Sequence, residues 1–237
     1  MKYIIMCGGN YPGWEIPRQM QCIKCEPIVL RTIRLLLKAG AKDIAISSND
    51  KRFNIFGVPV LKHENTFVWH RECQGSWVEA FYPTEEPVCY LMGDVVYSPE
   101  AIRTIVETDT DDIEFFASCA PFSAQYIKKW AEPFAFKVKN QKHFRESIDF
   151  VKNNENLFRR KPIAWELWQV IKGTPLNRID YTNYTVINDY TCDIDSENDL
   201  RKMREVLRDN DPCVPAKRMV CEWFSHTKSD QPGHSEG

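Results

Sequence analysis

An apolar run closed by two glycines opens the chain. Tyr3-Ile4-Ile5-Met6 has the length and composition of a buried parallel strand, and Gly8-Gly9 end it. Asn10, Pro12, Gly13 and Pro17 follow and exclude regular structure, so the strand must feed a loop. Glycines at such a strand end let backbone N–H groups approach a phosphate or a base with no Cβ in the way. Pro17-Arg18 stands at the loop's exit, where a guanidinium can reach a phosphate.

The next segments repeat the theme of a parallel sheet. Residues 27–37 (PIVLRTIRLLL) place apolar side chains at helical intervals, with Arg31 and Arg34 on the other face and Gly40 as the stop. Residues 43–47 (DIAIS) read as a second buried strand, completing a βαβ unit. Ser48 and Asn49 fall at its carboxyl end, the edge where such sheets bind ligands, although Asn49 serves equally well as a turn residue. Residues 58–61 (VPVL) form a short third strand, and residues 78–82 read as a helix. Gln74, Gly75 and Ser76 precede that helix, where Ser76 can cap it or present its hydroxyl to a ligand.

A second anchor is residues 87–96 (PVCYLMGDVV). Val88 to Met92 is a continuous apolar run suited to the middle of the sheet, and Asp94 falls just past its end. A lone carboxylate there is a cap or a Mg²⁺ ligand. Ser98, with Pro99 at the first helical position, already caps the next helix, which leaves Asp94 for chemistry.

Beyond a strand at residues 113–120 the parallel pattern breaks. Residues 134–138 (FAFKV) suggest an antiparallel strand, and residues 144–151 and 164–171 suggest helices. The expectation is a substrate-side insertion over about residues 121–185 that covers the open edge of the sheet. Lys137, Lys139, Arg159, Arg160 and Lys161 could bind a phosphate there, although solvated surface is the commoner use of such residues. Further on, Asp193 and Asp195 alternate on an extended segment, so only one of them should face a site shared with Asp94. Ser196 and Asp199 form a capping-box-like start to a helix. One domain over residues 1–222 and a polar, flexible tail over residues 223–237 are expected.

Composition removes several function classes. A net charge of −2 gives no basic surface for nucleic acid, and no run of about 18 apolar residues suggests a membrane span. No secretion-type leader opens the chain, so a cytoplasmic protein is expected. Nine scattered cysteines read as free thiols, and Cys22-x-x-Cys25 lacks the second ligand pair of a zinc site.

The Gly-Gly loop, Pro17-Arg18-Gln19, Glu26-Pro27-Ile28, Gly93-Asp94 and residues 193–200 (DIDSENDL) occur in the order found in the nucleotidyltransferase (NTP transferase) family. The chain resembles that family, which includes sugar-phosphate nucleotidylyltransferases and cytidylyltransferases, from Met1 to about Leu207. The resemblance implies an α/β fold, a Rossmann-like, mostly parallel sheet with helices on both faces. It implies contacts to the nucleotide from Gly8, Gly9, Asn10, Arg18, Asn49, Gln74, Gly75 and Ser76. It implies Mg²⁺ held by Asp94 and Asp195, and catalytic roles for Arg18, Asp94 and Asp195. The partners implied are an NTP and a phosphorylated small molecule such as a sugar phosphate. Two departures stand out. Arg18 takes the place of the usual lysine, and Trp14 falls where many members carry a loop arginine, so either Lys24 or another basic residue substitutes or the loop holds the nucleotide differently. The rival readings are a nucleotide-sugar-dependent glycosyltransferase and a nucleotide-binding protein without turnover.

Overall fold

The computed structural model describes residues 1–9, 13–65, 67–68, 74–123 and 127–210; Asn10, Cys73 and the tail lie outside the described residues. In chain order the strands are β1 (Lys2–Met6), β2 (Cys22–Ile23), β3 (Glu26–Pro27), β4 (Asp43–Ser47), β5 (Val60–Leu61), β6 (Val88–Met92), β7 (Val95–Val96), β8 (Ile113–Ala117), β9 (Pro133–Val138), β10 (Thr185–Val186) and β11 (Cys192–Asp193). The α-helices are α1 (Ile28–Lys38), α2 (Pro99–Glu107), α3 (Gln141–Asn153), α4 (Ala164–Lys172) and α5 (Glu197–Asn210).

Seven strands form one sheet in the order β10-β8-β9-β6-β1-β4-β5. Its β6-β1-β4-β5 half is parallel throughout, as the apolar runs require. The chain leaves β1 toward β4 and β5, then returns to place β6 on the other side of β1. The crevice between the carboxyl ends of β1 and β6 is therefore a topological switch point, where open α/β sheets bind ligands. Among the described residues α1 packs against α2 and α3 against α4, while α5 lies against β2.

The strand expected over residues 134–138 is antiparallel, but it does not sit in a covering insertion. β9 lies inside the main sheet, antiparallel to both β6 and β8. Phe134, Ala135, Phe136 and Val138 are all fully buried, and a strand apolar on both faces gains most in the sheet's interior. Lys137, on the same strand, is buried too and is neither a surface charge nor a phosphate ligand. Its ammonium donates to the carbonyls of Val106, at 3.0 Å, and Thr108, at the C-terminal end of α2, where positive charge is favourable. Residues 77–80 form a 3-10 turn rather than the helix expected over residues 78–82.

The capping signals hold. The Ser98 hydroxyl accepts from the Ala101 N–H at 2.8 Å, and Gly40 and Gly173 close α1 and α4 with positive φ. At α5 the Ser196 hydroxyl accepts from the Asp199 N–H at 3.2 Å, while the Asp199 carboxylate accepts from the Ser196 N–H at 3.0 Å. No described helix is long and apolar enough to cross a membrane.

Candidate active site at the switch point

Three strand ends are laced together at the carboxyl edge of the sheet. The Cys7 N–H donates to Ser47 O at 2.9 Å, the Ser48 hydroxyl to Cys7 O at 3.1 Å and the Gly93 N–H to Met6 O at 3.1 Å. Gly93 is the tightest point. A Cβ there would lie 2.3 Å from Met6 O and 2.8 Å from the Cys7 sulfur, so only glycine lets β6 close on β1. Asp94 is thereby delivered directly beside the Gly8-Gly9 loop. Gly9 itself has φ of 101°, a conformation that excludes most side chains. The Ile194 N–H donates to Asp94 O at 3.0 Å, which draws the end of β11 to the same place.

Arg18 sits in a short 3-10 turn after the loop, 9% exposed, and spans the two carboxylates that the sequence singled out. Its guanidinium lies 3.2 Å from Asp94 and 2.5 Å from Asp195, and also donates to Ile194 O at 3.0 Å. Lys128 forms a second cationic centre. Its ammonium lies 3.2 Å from Asp193, 2.6 Å from Asp195 and 3.2 Å from Asp199. Asp195 therefore bridges the two cations.

The charges tune one another. Burial raises the Asp94 carboxyl above its ordinary value, with Arg18 opposing the rise. Burial would raise Asp195 as well, but Lys128 and Arg18 outweigh it and hold that carboxyl at about 2. Asp193 is pushed well up by burial and by the neighbouring acids Glu132 and Asp195. Glu132 is raised to about 7 by burial, which Lys128 offsets only in part. Burial lowers Lys128, yet Asp193 and Asp195 more than reverse this and keep the ammonium charged.

Two cavities meet at the glycine loop. The larger, about 540 Å³, reaches from Gly8, Gly9, Arg18, Asp94, Asp193 and Asp195 to an aromatic wall that includes Trp77, Trp130 and Trp165. The smaller, about 330 Å³, is lined by Gly8, Gly9, Ser48, Asn49, Asp50, Arg52, His63 and Asn65. Trp14 lines both.

Arg18, Asp94, Asp195, Gly8 and Gly9 thus converge on the larger cavity, and Asn49 joins the two glycines in the smaller one. Gln74, Gly75 and Ser76 line neither; Gln74 and Gly75 are exposed, and the Ser76 N–H is tied to Glu79 at 3.4 Å. Lys24 lines neither cavity; it occupies, with Cys25, the positive-φ turn of the β2–β3 hairpin. The expected alternation of Asp193 and Asp195 fails, because both carboxylates face the same cavity. β11 ends at Asp193, and the chain turns toward α5 before a two-residue period can carry Asp195 to the other face.

Lys128 and Glu132 were missed. They lie in a charge- and aromatic-rich stretch with no motif spacing, folded back by the bridge between Phe122 and Trp130 and by bonds from the Ser123 N–H to Lys129 O at 3.0 Å and from the Ser118 N–H to Glu132 O at 2.9 Å. Glu132, Asp193 and Asp195 each offer a carboxylate oxygen, and these oxygens lie within 4.8 Å of one another. Hard oxygen donors at this spacing suit Mg²⁺. Asp94 is not one of that group; it shares Arg18 with Asp195 instead.

No family model and no curated protein matches the sequence. Solved structures do match the fold. A Bacillus anthracis protein assigned as a glucose-1-phosphate thymidylyltransferase is 16% identical, with a TM-score of 0.54 over 89% of this chain and 96% of its own. The inositol-1-phosphate CTP transferase of T. maritima is 12% identical, with a TM-score of 0.52 over 90% and 98%. A CTP:phosphocholine cytidylyltransferase of Streptococcus pneumoniae is 14% identical, with a TM-score of 0.51 over 87% and 98%. The chain has the fold of these nucleotidyltransferases.

Proposed function

We propose that this protein, built on the nucleotidyltransferase fold, transfers a nucleoside monophosphate from an NTP to a phosphorylated small molecule and releases pyrophosphate. One observation carries the reading. Arg18, Asp94 and Asp195, far apart in sequence, form a single charge cluster beside the Gly8-Gly9 loop at the switch point. The structural neighbours act on NTPs and phosphorylated acceptors, which supports the same class of partners here.

In this reading an oxygen of the acceptor phosphate attacks the α-phosphorus in line. The bond from that phosphorus to the bridging oxygen breaks, and pyrophosphate leaves with the electron pair. Such a step needs positioning and charge neutralisation rather than a protein nucleophile. The loop N–H groups of Gly8 and Gly9 hold the phosphates, and Arg18 and Lys128 supply positive charge beside them. Asp195, with Asp94 or with Glu132 and Asp193, would hold Mg²⁺, which when bound would neutralise charge on the α-phosphate. Both arrangements already bind a cation, Arg18 in one and Lys128 beside the other, so the acids are placed to hold positive charge. Trp14 in place of a loop arginine favours a second reading, a nucleotide-binding protein without turnover.

The test is a melting-temperature panel of CTP, UTP, GTP, ATP and dTTP, each with and without Mg²⁺, followed by pyrophosphate release. A nucleotide at a hundred times its Kd adds about 2.7 kcal/mol of stability. One nucleotide should raise the melting temperature, and more so with Mg²⁺. No response to any of the five removes the NTP site, and a response without pyrophosphate release from any acceptor favours the second reading.

A further inference from the structure

The sequence offers five basic residues beyond β8 for a phosphate, and the structure separates them. Lys137 is spent on the carbonyls that end α2, Lys139 pairs with Asp109 at 2.7 Å and Lys161 pairs with Glu155 at 2.8 Å. Arg159 is exposed and lines neither cavity. Arg160 alone of the five lines the larger cavity, together with Ile163, Trp165 and Tyr181.

The way Arg160 is held matters as much as its place. Its Nε donates to Glu166 Oε1 at 2.6 Å, and neither terminal nitrogen has an acceptor among the described residues. Arg34 is gripped differently, with Nε and Nη each 2.7 Å from a separate oxygen of Glu26. Glu166 cannot offer Arg160 that two-point grip, because its other oxygen accepts from the Ile163 N–H at 3.0 Å. Glu166 is buried at the start of α4, and Trp165 beside it meets Phe115 edge to face at 5.0 Å and Tyr181 at 4.9 Å. A rigid element thus orients the guanidinium through Nε and leaves its Nη edge, half exposed, for a planar or tetrahedral oxyanion.

The other cations of the site are shared with its acids. Arg18 serves Asp94 and Asp195, and Lys128 serves Asp193, Asp195 and Asp199. A second phosphate entering beside these carboxylates is repelled by them and needs a donor that they do not already hold. Glu166, the one acid bound to Arg160, does not line the cavity. We propose that Arg160 receives the phosphate of the acceptor, with Glu166 as the positioning residue that aims it. This rests on the transferase reading and adds an acceptor-side ligand to Arg18 and Lys128, which serve the NTP.

The experiment titrates the full-length protein with inorganic phosphate, read by tryptophan fluorescence, and repeats the nucleotide melting panel on each variant. Arg160→Met should weaken phosphate by about tenfold or more, the range of a lost charge-assisted pair of hydrogen bonds, and leave the nucleotide response as in wild type. Arg160→Lys keeps a charge beside Glu166 but not the two-point edge, so its melting temperature should hold while phosphate still weakens. Arg160→Met combined with Glu166→Gln removes the buried, unpaired carboxylate, and its phosphate affinity should stay as low as that of Arg160→Met. Absence of phosphate binding to the wild type, unchanged affinity in Arg160→Met, or recovery of affinity in the double variant overturns the proposal. An equal loss of phosphate and nucleotide in Arg160→Met also overturns it, since that pattern marks a general structural effect. Phosphate binding that depends on Arg160, with no nucleotide response in the wild type, would sink the transferase reading and leave Arg160 an anion site. A nucleotide response with phosphate indifferent to Arg160 would sink the acceptor role alone.

Discussion

Replacing Gly93 by alanine isolates the contact that brings the site together. The added methyl group would start 2.3 Å from Met6 O and 2.8 Å from the Cys7 sulfur, so β6 must retreat from β1 by roughly 1 Å to reach ordinary van der Waals distance. The obstacle is backbone, which no rotamer change relieves. Overpacking of this kind costs about 1–3 kcal/mol. The retreat also stretches the 3.1 Å bond from the Gly93 N–H to Met6 O, worth about 1 kcal/mol. The combined loss of roughly 2–4 kcal/mol should lower the melting temperature by roughly 5–15 °C for a chain of this size. Urea denaturation followed by tryptophan fluorescence gives the free energy directly. Asp94, the next residue, would be displaced with its carboxylate intact, so Mg²⁺-dependent nucleotide binding should weaken in parallel. A variant within 0.5 kcal/mol of wild type (about the scatter of neutral surface changes) would refute the claim that β1 and β6 can close only over a glycine.

Asp94→Ala and Asp195→Ala should each cut pyrophosphate release by a factor of about 100 or more with the far-ultraviolet spectrum unchanged; full activity in either removes that carboxylate from the reaction. Lys128→Met leaves Asp193, Asp195 and Asp199 without their shared ammonium and should cost about 3 kcal/mol, part of it recovered by millimolar Mg²⁺. A melting temperature indifferent to both the substitution and the metal would show that Lys128 does not neutralise the cluster. Stability should decline on the alkaline side. Burial lifts the Cys89 thiol from 9.0 to about 12 and the Tyr3 hydroxyl from 10.0 to about 12, so the unfolded chain releases these protons first. Their contribution is complete below pH 9 and is lost as pH rises toward 12; Cys89→Ser should flatten that decline, and an unchanged alkaline limb would rule the thiol out as its cause.

The elements that read clearly in the sequence are those whose signal is local. Val88 to Met92 had to be a buried strand, Ser98-Pro99 had to start a helix, and Gly40 and Gly173 had to end two more, because burial periodicity and backbone freedom act within a few residues. The same locality made Arg18, Asp94 and Asp195 legible, since each stands at the punctuation between an apolar run and a loop. Where a contact partner lies far along the chain, local pattern says nothing. Residues 133–138 display a strand period whether they cover the sheet or complete it, and only the pairing with β6 and β8 put them inside. Lys128 and Glu132 carry no motif, and a two-residue period sends Asp193 and Asp195 to opposite faces, whereas the turn into α5 brings both to one cavity. The strands were written into the chain residue by residue. The cavity, the charge cluster at its edge and its aromatic wall came from burying those strands against one another, because only long-range packing brings the side chains of residues 18, 94, 128 and 195 within a few ångströms.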